Sequence, residues 1–287
     1  MNSGNRPIVN IRGDIGNQVI QAYVGTAIMA ESNIKEFDYS FNCAATQSES
    51  NNTAPFHKHY LNRIFQLDTS VHINPESKNE TRYSFHGSAF LIRKHYEYLQ
   101  NKLPLIKSIE SGEEALVHVH KISNEFKKDM VIYNNLIRIA LSKHDNVSII
   151  GDNKTLLEEL KSLYLLQGIK LEDHSSSESI KDWFTLLSSY NIYSTPNSFV
   201  LSTKVLNQRS NIFIINPLDC TNYKYSLNEY LIIYELKKYF SGLNILNSFT
   251  NRISSNCDTF VSSILPLIES KKYEPWIVKP ESNIESF

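Results

Sequence analysis

Apolar residues recur along the second part of the chain with the two spacings that mark strands and helices. From about residue 110 onward, short apolar stretches of strand length alternate with stretches of helical spacing. The predicted strands are 115–120, 146–150, 168–172, 190–193 and 211–215, and the predicted helices are 129–143, 154–167, 180–187, 198–207, 226–240 and 256–269. Such alternation indicates βαβ units built around a parallel sheet.

The first part of the chain shows the same elements less regularly. A strand at 7–12 leads into a helix at 17–31, a polar loop follows at 43–56, and a further helix is predicted at 88–107. The polar segment 108–114 interrupts the pattern and is the predicted hinge. We therefore predict an α/β protein of two Rossmann-like domains that face each other across a cleft. Residues 1–110 form the first domain and residues 111–287 the second. Ligands of such folds bind at the carboxyl ends of the strands or between the domains.

Composition narrows the classes of function. The 287 residues are 41% hydrophobic and 21% charged, which is typical of a globular protein. The net charge of −1 gives no broad basic surface for nucleic acid. The three cysteines are too few and too far apart for a disulfide framework. Neither a signal-peptide pattern nor an apolar run of about 18–20 residues is present. We therefore expect a cytoplasmic location, with at most peripheral contact at the inner face of the cell membrane.

The first motif with chemical content is Gly13-Asp14-Ile15-Gly16-Asn17-Gln18, where the first strand turns into the first helix. Glycines at such a corner permit close approach of a ligand to the backbone, and the helix N-terminus offers free N–H groups. An ordinary strand-to-helix turn explains the spacing equally well. The complete dinucleotide fingerprint is missing, because Val19 stands at the position of its third glycine.

The second motif places His118 and His120 on one face of a predicted strand, with Lys121 after them. Two imidazoles and a lysine at the carboxyl end of a strand could hold a diphosphate. A His-x-His pair also suits a divalent metal. The remaining alternative is a pair of partly buried histidines bonded to the backbone. An imidazole takes its proton as the pH falls through about 6.5, so His120 is also a candidate acid for a leaving phosphate.

Two further strand-to-helix corners carry small polar side chains. One contains Asp152 and Asn153, and the other contains Ser194, Thr195, Asn197 and Ser198. Helix capping accounts for residues of these types at such positions. The functional alternative is that both corners line a nucleotide pocket.

In their order along the chain, these motifs resemble the α-1,2-fucosyltransferase family. That family begins with a strand followed by Gly-x-Leu-Gly-Asn-Gln-x-x-Gln, and this chain has Gly13-Asp14-Ile15-Gly16-Asn17-Gln18-Val19-Ile20-Gln21. Its His-x-Arg strand end corresponds to His118-Val119-His120, its acidic strand end to Gly151-Asp152-Asn153, and its serine motif to 194–199. The resemblance spans residues 7–217 and implies an inverting glycosyltransferase with the type B fold (GT-B).

The resemblance further implies a GDP-fucose donor, a glycan or lipid-linked oligosaccharide acceptor, and a role in bacterial surface polysaccharide (O-antigen or capsule) synthesis. It implies no cofactor and no metal, and the chain contains no Asp-x-Asp motif. Asp14 and His120 are the predicted catalytic residues. The predicted donor-binding residues are His118, His120, Lys121, Asp152, Asn153, Ser194, Thr195, Asn197 and Ser198. The predicted acceptor or sugar side consists of Gly13, Gly16, Asn17 and Gln18.

This chain departs from the family at two places. His120 stands where the family has a diphosphate-binding arginine, and Val200 and Leu201 stand where it has two tryptophans. These departures support an alternative function, a glycosyltransferase-like binding subunit without catalysis. A further alternative is a metal-dependent hydrolase that uses His118 and His120 together with His57 and His59.

Overall fold

The computed structural model divides the chain into two compact units, Met1–Pro104 with Lys272–Phe287, and Leu105–Lys271. The structure describes residues 8–11, 15–31, 38–41, 71–72, 82–84, 114–122, 125–207, 209–215, 233 and 241–246. The elements predicted at 43–56, 88–107 and 256–269, and nearly all of the helix predicted at 226–240, lie outside these residues.

The first unit contains a four-stranded parallel sheet. Its elements are β1 (Ile8–Ile11), α1 (Ile15–Glu31), β2 (Asp38–Phe41), β3 (Val71–His72) and β4 (Arg82–Ser84). The strand order is β3-β2-β1-β4. Helix α1 begins four positions after the end of β1, so its N-terminus lies at the carboxyl edge of this sheet.

The second unit contains a six-stranded sheet in which all described pairs are parallel. Its strands are β5 (Glu114–Val119), β6 (Asn146–Gly151), β7 (Glu172–Asp173), β8 (Asn191–Ser194), β9 (Asn211–Ile215) and β10 (Leu243–Leu246). Its helices are α2 (Phe126–Leu141), α3 (Lys154–Leu165), α4 (Ser179–Ser188) and α5 (Ser198–Leu206). The strand order β10-β9-β8-β5-β6-β7 is the 3-2-1-4-5-6 order of the Rossmann fold, read from the opposite edge.

The core of the second unit lies around its central strands. In β5 and β6 every residue after the first is buried, and successive strand residues point to opposite faces, so both faces of the sheet are covered. Helix α2 packs an apolar stripe against the sheet, and α3 packs a second one. The buried members of the α2 stripe are Ile132, Tyr133, Leu136, Ile137, Ile139 and Ala140. Burial on both faces explains why these strands are continuous apolar runs in the sequence.

The prediction of an α/β protein with Rossmann-like sheets is confirmed. Most predicted elements of the second unit are present within a few residues of their expected bounds. The strand predicted at 168–172 is instead the two-residue β7, because the turn that ends α3 continues through Gly168 and Ile169. Gly168 has φ 78°, and the amide of Ile169 bonds back to the carbonyl of Tyr164. Strands β2, β3, β4 and β10 were not predicted.

No helix within the described residues is both long enough and apolar enough to span a membrane.

Candidate functional site

The six-stranded sheet has its topological switch point between β5 and β8. These strands are neighbours, but the chain leaves β5 toward β6 and leaves β8 toward β9. In open parallel sheets of this type the crevice for a ligand lies outside the carboxyl ends of the strands at such a point. Strand β5 ends in the His118–His120 motif, and β8 ends in the Ser194–Ser198 corner. Two motifs predicted separately therefore meet, and His118 Nδ1 lies 3.4 Å from Ser194 Oγ across a separation of 76 residues.

Three rings lie in a row at this edge. The rings of His118 and His120 are stacked with 5.3 Å between centroids and an interplanar angle of 26°. The ring of His118 is also stacked against Phe199, with 5.3 Å between centroids and an angle of 20°. His118 is buried, with 6% of its surface exposed, and His120 is half-buried. The predicted placement of the two imidazoles on one strand face agrees with this stacking.

The hydroxyl of Tyr133 in α2 joins the two corners. It donates to the carbonyl oxygen of His120 at 3.0 Å and accepts the amide N–H of the same residue at 3.1 Å. It also lies 3.1 Å from His120 Nδ1 and 3.4 Å from Thr195 Oγ1. Sequence analysis did not select Tyr133. The one indication was a tyrosine at an inward-facing position of the apolar helix stripe, since a buried tyrosine hydroxyl needs a partner.

At the β8–α5 corner the polar side chains hold the turn together. Asn197 caps α5 by accepting the amide N–H of Val200 at 2.8 Å. Its Nδ2 group donates to Ser194 Oγ at 3.0 Å and to the carbonyl of Thr195 at 2.8 Å. The hydroxyl of Ser194 donates to that same carbonyl at 3.0 Å. Asn197 and Ser194 are thus engaged in building the corner at the start of α5.

The β6–α3 corner lies beside the end of β5. Asn153 caps α3 by accepting the amide N–H of Leu156 at 3.2 Å, as the capping alternative predicted. A Cβ atom on Gly151 would lie 1.7 Å from the carbonyl oxygen of Val119, so only glycine fits there. Asp152 is exposed, and its charge contributes to raising the pKa of Tyr133, although burial is the larger cause.

Burial keeps both imidazoles neutral near pH 7. It lowers the pKa of His118 well below the ordinary value, and the nearby His120 lowers it further. Burial also lowers the pKa of His120 to about 4. The expectation that His120 takes a proton as the pH falls through about 6.5 is therefore wrong for the ligand-free chain, because this environment disfavours the charged imidazole.

The other predicted site residues lie in different surroundings. Lys121 is exposed and directly follows His120. In the first unit, Gly16 and Gln18 are buried and Asn17 is half-buried in the first turn of α1. Gly13, Asp14, His57 and His59 lie outside the described residues. Val200 and Leu201, at the positions of the family's two tryptophans, are fully buried in α5.

A metal centre has no ready donor set in the part of the chain that the structure describes. No group of three or more His, Cys, Asp or Glu side chains there is arranged to hold a metal ion. The N-terminus of α5 offers a different type of binding site. Its backbone N–H groups and the positive end of its helix dipole suit an anion such as a phosphate.

No protein-family model matches the chain, and no curated protein matches it. Among solved structures it is similar to the Escherichia coli ADP-heptose lipopolysaccharide heptosyltransferase II, with 9% identity and a TM-score of 0.43 over 74% of this chain and 86% of that one. It is also similar to the E. coli heptosyltransferase WaaC with ADP-2-deoxy-2-fluoro heptose, with 8% identity and a TM-score of 0.45 over 93% of this chain and 99% of that one. At this identity and overlap, neither likeness assigns a role to any residue.

Proposed function

We propose that this chain is an inverting glycosyltransferase that binds a nucleotide-sugar donor at the carboxyl edge of its six-stranded sheet. The observation that carries the proposal is the 3-2-1-4-5-6 strand order with two polar corners at its switch point. In the reaction, an acceptor hydroxyl oxygen forms a bond to the anomeric carbon of the donor. The bond from that carbon to the diphosphate oxygen breaks and the diphosphate leaves with the electron pair, while the acceptor proton passes to a base, for which Asp14 is the candidate.

The diphosphate is expected at the N-terminus of α5 rather than on the imidazoles. The main need of such a transfer is stabilisation of the departing negative charge. At pH 7 the two imidazoles are neutral and supply no such charge. The N-terminus of α5, with the positive end of the helix dipole, and the exposed side chain of Lys121 lie at this edge and suit an anion.

The finer assignment follows the sequence resemblance. It gives fucose from GDP-fucose as the transferred group, a glycan or lipid-linked oligosaccharide as the acceptor, and bacterial surface polysaccharide synthesis as the setting. In the first unit, Gly16, Asn17 and Gln18 occupy the first turn of α1 at the carboxyl edge of the smaller sheet. We propose them, together with Gly13, for the sugar or acceptor side, and we propose Asp14 as the candidate base.

The proposal is tested by measuring the thermal stability of the chain with a panel of nucleoside diphosphates and nucleotide sugars that includes GDP-fucose and an ADP-heptose. A ligand that binds only the folded state adds about 2.7 kcal/mol of stability at a concentration of about 100 Kd. We expect one nucleotide class to raise the midpoint equally with and without a chelator. Incubating the stabilising nucleotide sugar with glycan acceptors then tests for release of the nucleoside diphosphate.

His120→Ala and His144→Ala form a matched pair of variants for this panel. Each histidine is half-buried and lies beside a tyrosine hydroxyl, Tyr133 for His120 and Tyr193 for His144. His144 follows the C-terminus of α2 and so lies at the opposite edge of the sheet. Only His120→Ala should weaken the ligand effect. If no nucleotide stabilises the wild-type chain, the proposed function fails, and a response to zinc alone would favour the hydrolase alternative.

A further inference from the structure

The hydrogen bonds around His120 favour one protonation state of its imidazole ring. The Tyr133 hydroxyl has one hydrogen, and the carbonyl of His120, at 3.0 Å, can only accept it. With that hydrogen committed, the 3.1 Å contact between the hydroxyl oxygen and His120 Nδ1 is a hydrogen bond only if Nδ1 donates. A neutral imidazole that is protonated on Nδ1 presents a lone pair on Nε2.

The same count applies to His118. The Ser194 hydroxyl donates to the carbonyl of Thr195, and its oxygen already accepts from Asn197. The contact of 3.4 Å from this oxygen to His118 Nδ1 therefore again requires Nδ1 to donate. Within the described part of the chain neither Nε2 atom has a hydrogen-bonding partner. His118 is more than nine-tenths buried, so a ligand group that donates to its Nε2 would supply a hydrogen bond that the described residues do not.

We infer that the two Nε2 lone pairs form a binding site for two neighbouring hydroxyl groups, the vicinal diol of a sugar or ribose ring. This inference rests on the proposed function and assigns the imidazoles to the hydroxyl-bearing part of the ligand instead of its diphosphate. Each hydroxyl donates one hydrogen bond to one Nε2 atom. The ring centroids lie 5.3 Å apart, which is close enough for hydroxyls on two adjacent carbons to reach both imidazoles.

A phosphate and a metal ion fit this pair less well. A phosphate oxygen is an acceptor, and a lone pair on Nε2 has no hydrogen to offer it. A metal ion must lie in the plane of each imidazole at about 2.0–2.1 Å from the nitrogen. Both ring planes, which are inclined by 26°, would therefore have to meet at the ion, and among the described residues no group of three or more potential metal-ligating side chains is arranged to hold one. Hydroxyl donors avoid this conflict, because each lone pair takes a separate oxygen.

The protonation pattern is tested directly by long-range 1H–15N spectra of the full chain labelled at histidine, recorded at pH 7. His118→Gln and His120→Gln assign the two residues among the nine histidines by loss of signals. We expect both imidazoles to be neutral and protonated on Nδ1. Tyr133→Phe should leave His120 as a mixture of the two neutral tautomers. Tyr164 is a buried tyrosine of α3, and the control variant Tyr164→Phe should not change the tautomer of His120. An Nε2–H form of His120 in the wild-type chain would overturn the inference.

The ligand is tested by titrating the same labelled chain with the nucleoside diphosphate that the stability panel selects, its 2′,3′-dideoxy analogue, the matching nucleotide sugar and free monosaccharides. Loss of the diol that occupies the site should weaken binding at least tenfold in the wild-type chain and at most twofold in the His118→Ala/His120→Ala double variant. If the difference between wild type and double variant appears with the dideoxy analogue, the diol that binds is that of the ribose. If the difference appears instead with a deoxygenated sugar, the diol belongs to the transferred sugar or to the acceptor.

The outcomes separate this inference from the proposed function. If nucleotides do not bind but millimolar monosaccharides shift both Nε2 resonances, the donor assignment is wrong and the diol site stands. If nucleotides bind and the diol makes the same contribution in the double variant as in the wild type, the donor assignment stands and the diol site is refuted. If no sugar-bearing ligand shifts either Nε2 resonance, the diol site is refuted as well.

Discussion

Replacing Tyr133 by phenylalanine removes a single oxygen that serves both corners of the proposed site. The hydroxyl lies 3.0–3.1 Å from the carbonyl, the amide nitrogen and the Nδ1 atom of His120. Phenylalanine keeps the ring and its packing inside α2, so the change isolates the polar contribution. We expect the variant to fold, to be less stable, and to bind the donor more weakly.

The size of the loss follows from the groups left behind. A buried donor or acceptor without a partner costs about 1–3 kcal/mol. Tyr133→Phe leaves the amide and the carbonyl of the half-buried His120 without this partner, and we expect a loss of about 2 kcal/mol. The imidazole also loses the contact that fixes its orientation. A tenfold loss of donor affinity, about 1.4 kcal/mol, is the expected consequence.

Tyr164→Phe is the matched control. Tyr164 is also buried, and its hydroxyl oxygen lies 2.8 Å from the Oδ1 atom and 3.1 Å from the carbonyl oxygen of Asn134 in α2. Removing it should cost about 1 kcal/mol and leave donor affinity unchanged. Urea unfolding is followed by the fluorescence of Trp183, which is fully buried in α4. The second tryptophan, Trp276, is replaced by phenylalanine in every variant so that the signal reports on one residue.

The two measurements together can refute the argument. If Tyr133→Phe is as stable as the wild type, the hydroxyl does not satisfy the His120 backbone. If both variants lose the same donor affinity, Tyr133 acts through general stability and has no particular role at the site.

Three further predictions concern stability. Between pH 7 and pH 5 the wild-type chain should lose about 2 kcal/mol of its free energy of unfolding through His120, because the unfolded imidazole takes its proton near pH 6.5 and the folded one only near pH 4. Urea titrations at the two pH values measure this loss, and His120→Gln should remove it. Gly151→Ala should cost about 3 kcal/mol of stability or prevent folding, because its Cβ would lie 1.7 Å from the Val119 carbonyl oxygen. In the control Gly168→Ala the new Cβ meets no atom within 4 Å, so only the strain of its positive φ, about 1–2 kcal/mol, is expected. Equal unfolding midpoints for the two variants would contradict this prediction. Burial lowers the pKa of Lys204 to about 8, so the unfolded chain binds the proton of this side chain more strongly than the folded chain does. The free energy of unfolding should therefore rise by about 2 kcal/mol from pH 8 to pH 10, and this rise should be absent in Lys204→Met.

The sheet of the second unit was predictable because burial on both faces makes its strands uniformly apolar. The stretch 115–119 and the stretch 147–151 are buried at every position, and turn residues separate them from helices with clear apolar stripes. The order of the strands could not be predicted from the apolar spacing, because it depends on the direction in which each crossover connection adds the next strand to the sheet. Strands β2 and β4 were missed because Asp38–Phe41 and Arg82–Ser84 are short and half polar.

The residues of the site were predictable by position and less so by role. Sequence order placed His118, His120 and the Ser194–Ser198 corner at strand ends, and parallel topology then brings strand ends to one edge. Their chemical states depend on contacts from elsewhere in the chain. Tyr133, which comes from a helix, fixes the imidazole of His120, and Asn197 draws Ser194 into the turn. No spacing within either motif encodes these contacts.

The histidine at position 120 fits its surroundings better than an arginine would. Burial there lowers the pKa of the imidazole to about 4, which means that the site disfavours a positive charge on the ligand-free chain. An arginine remains charged and brings five N–H donors, whereas the Tyr133 hydroxyl and the backbone of His120 already satisfy one another. An arginine at position 120 would therefore bury a cation for which the described part of this environment has no compensating charge.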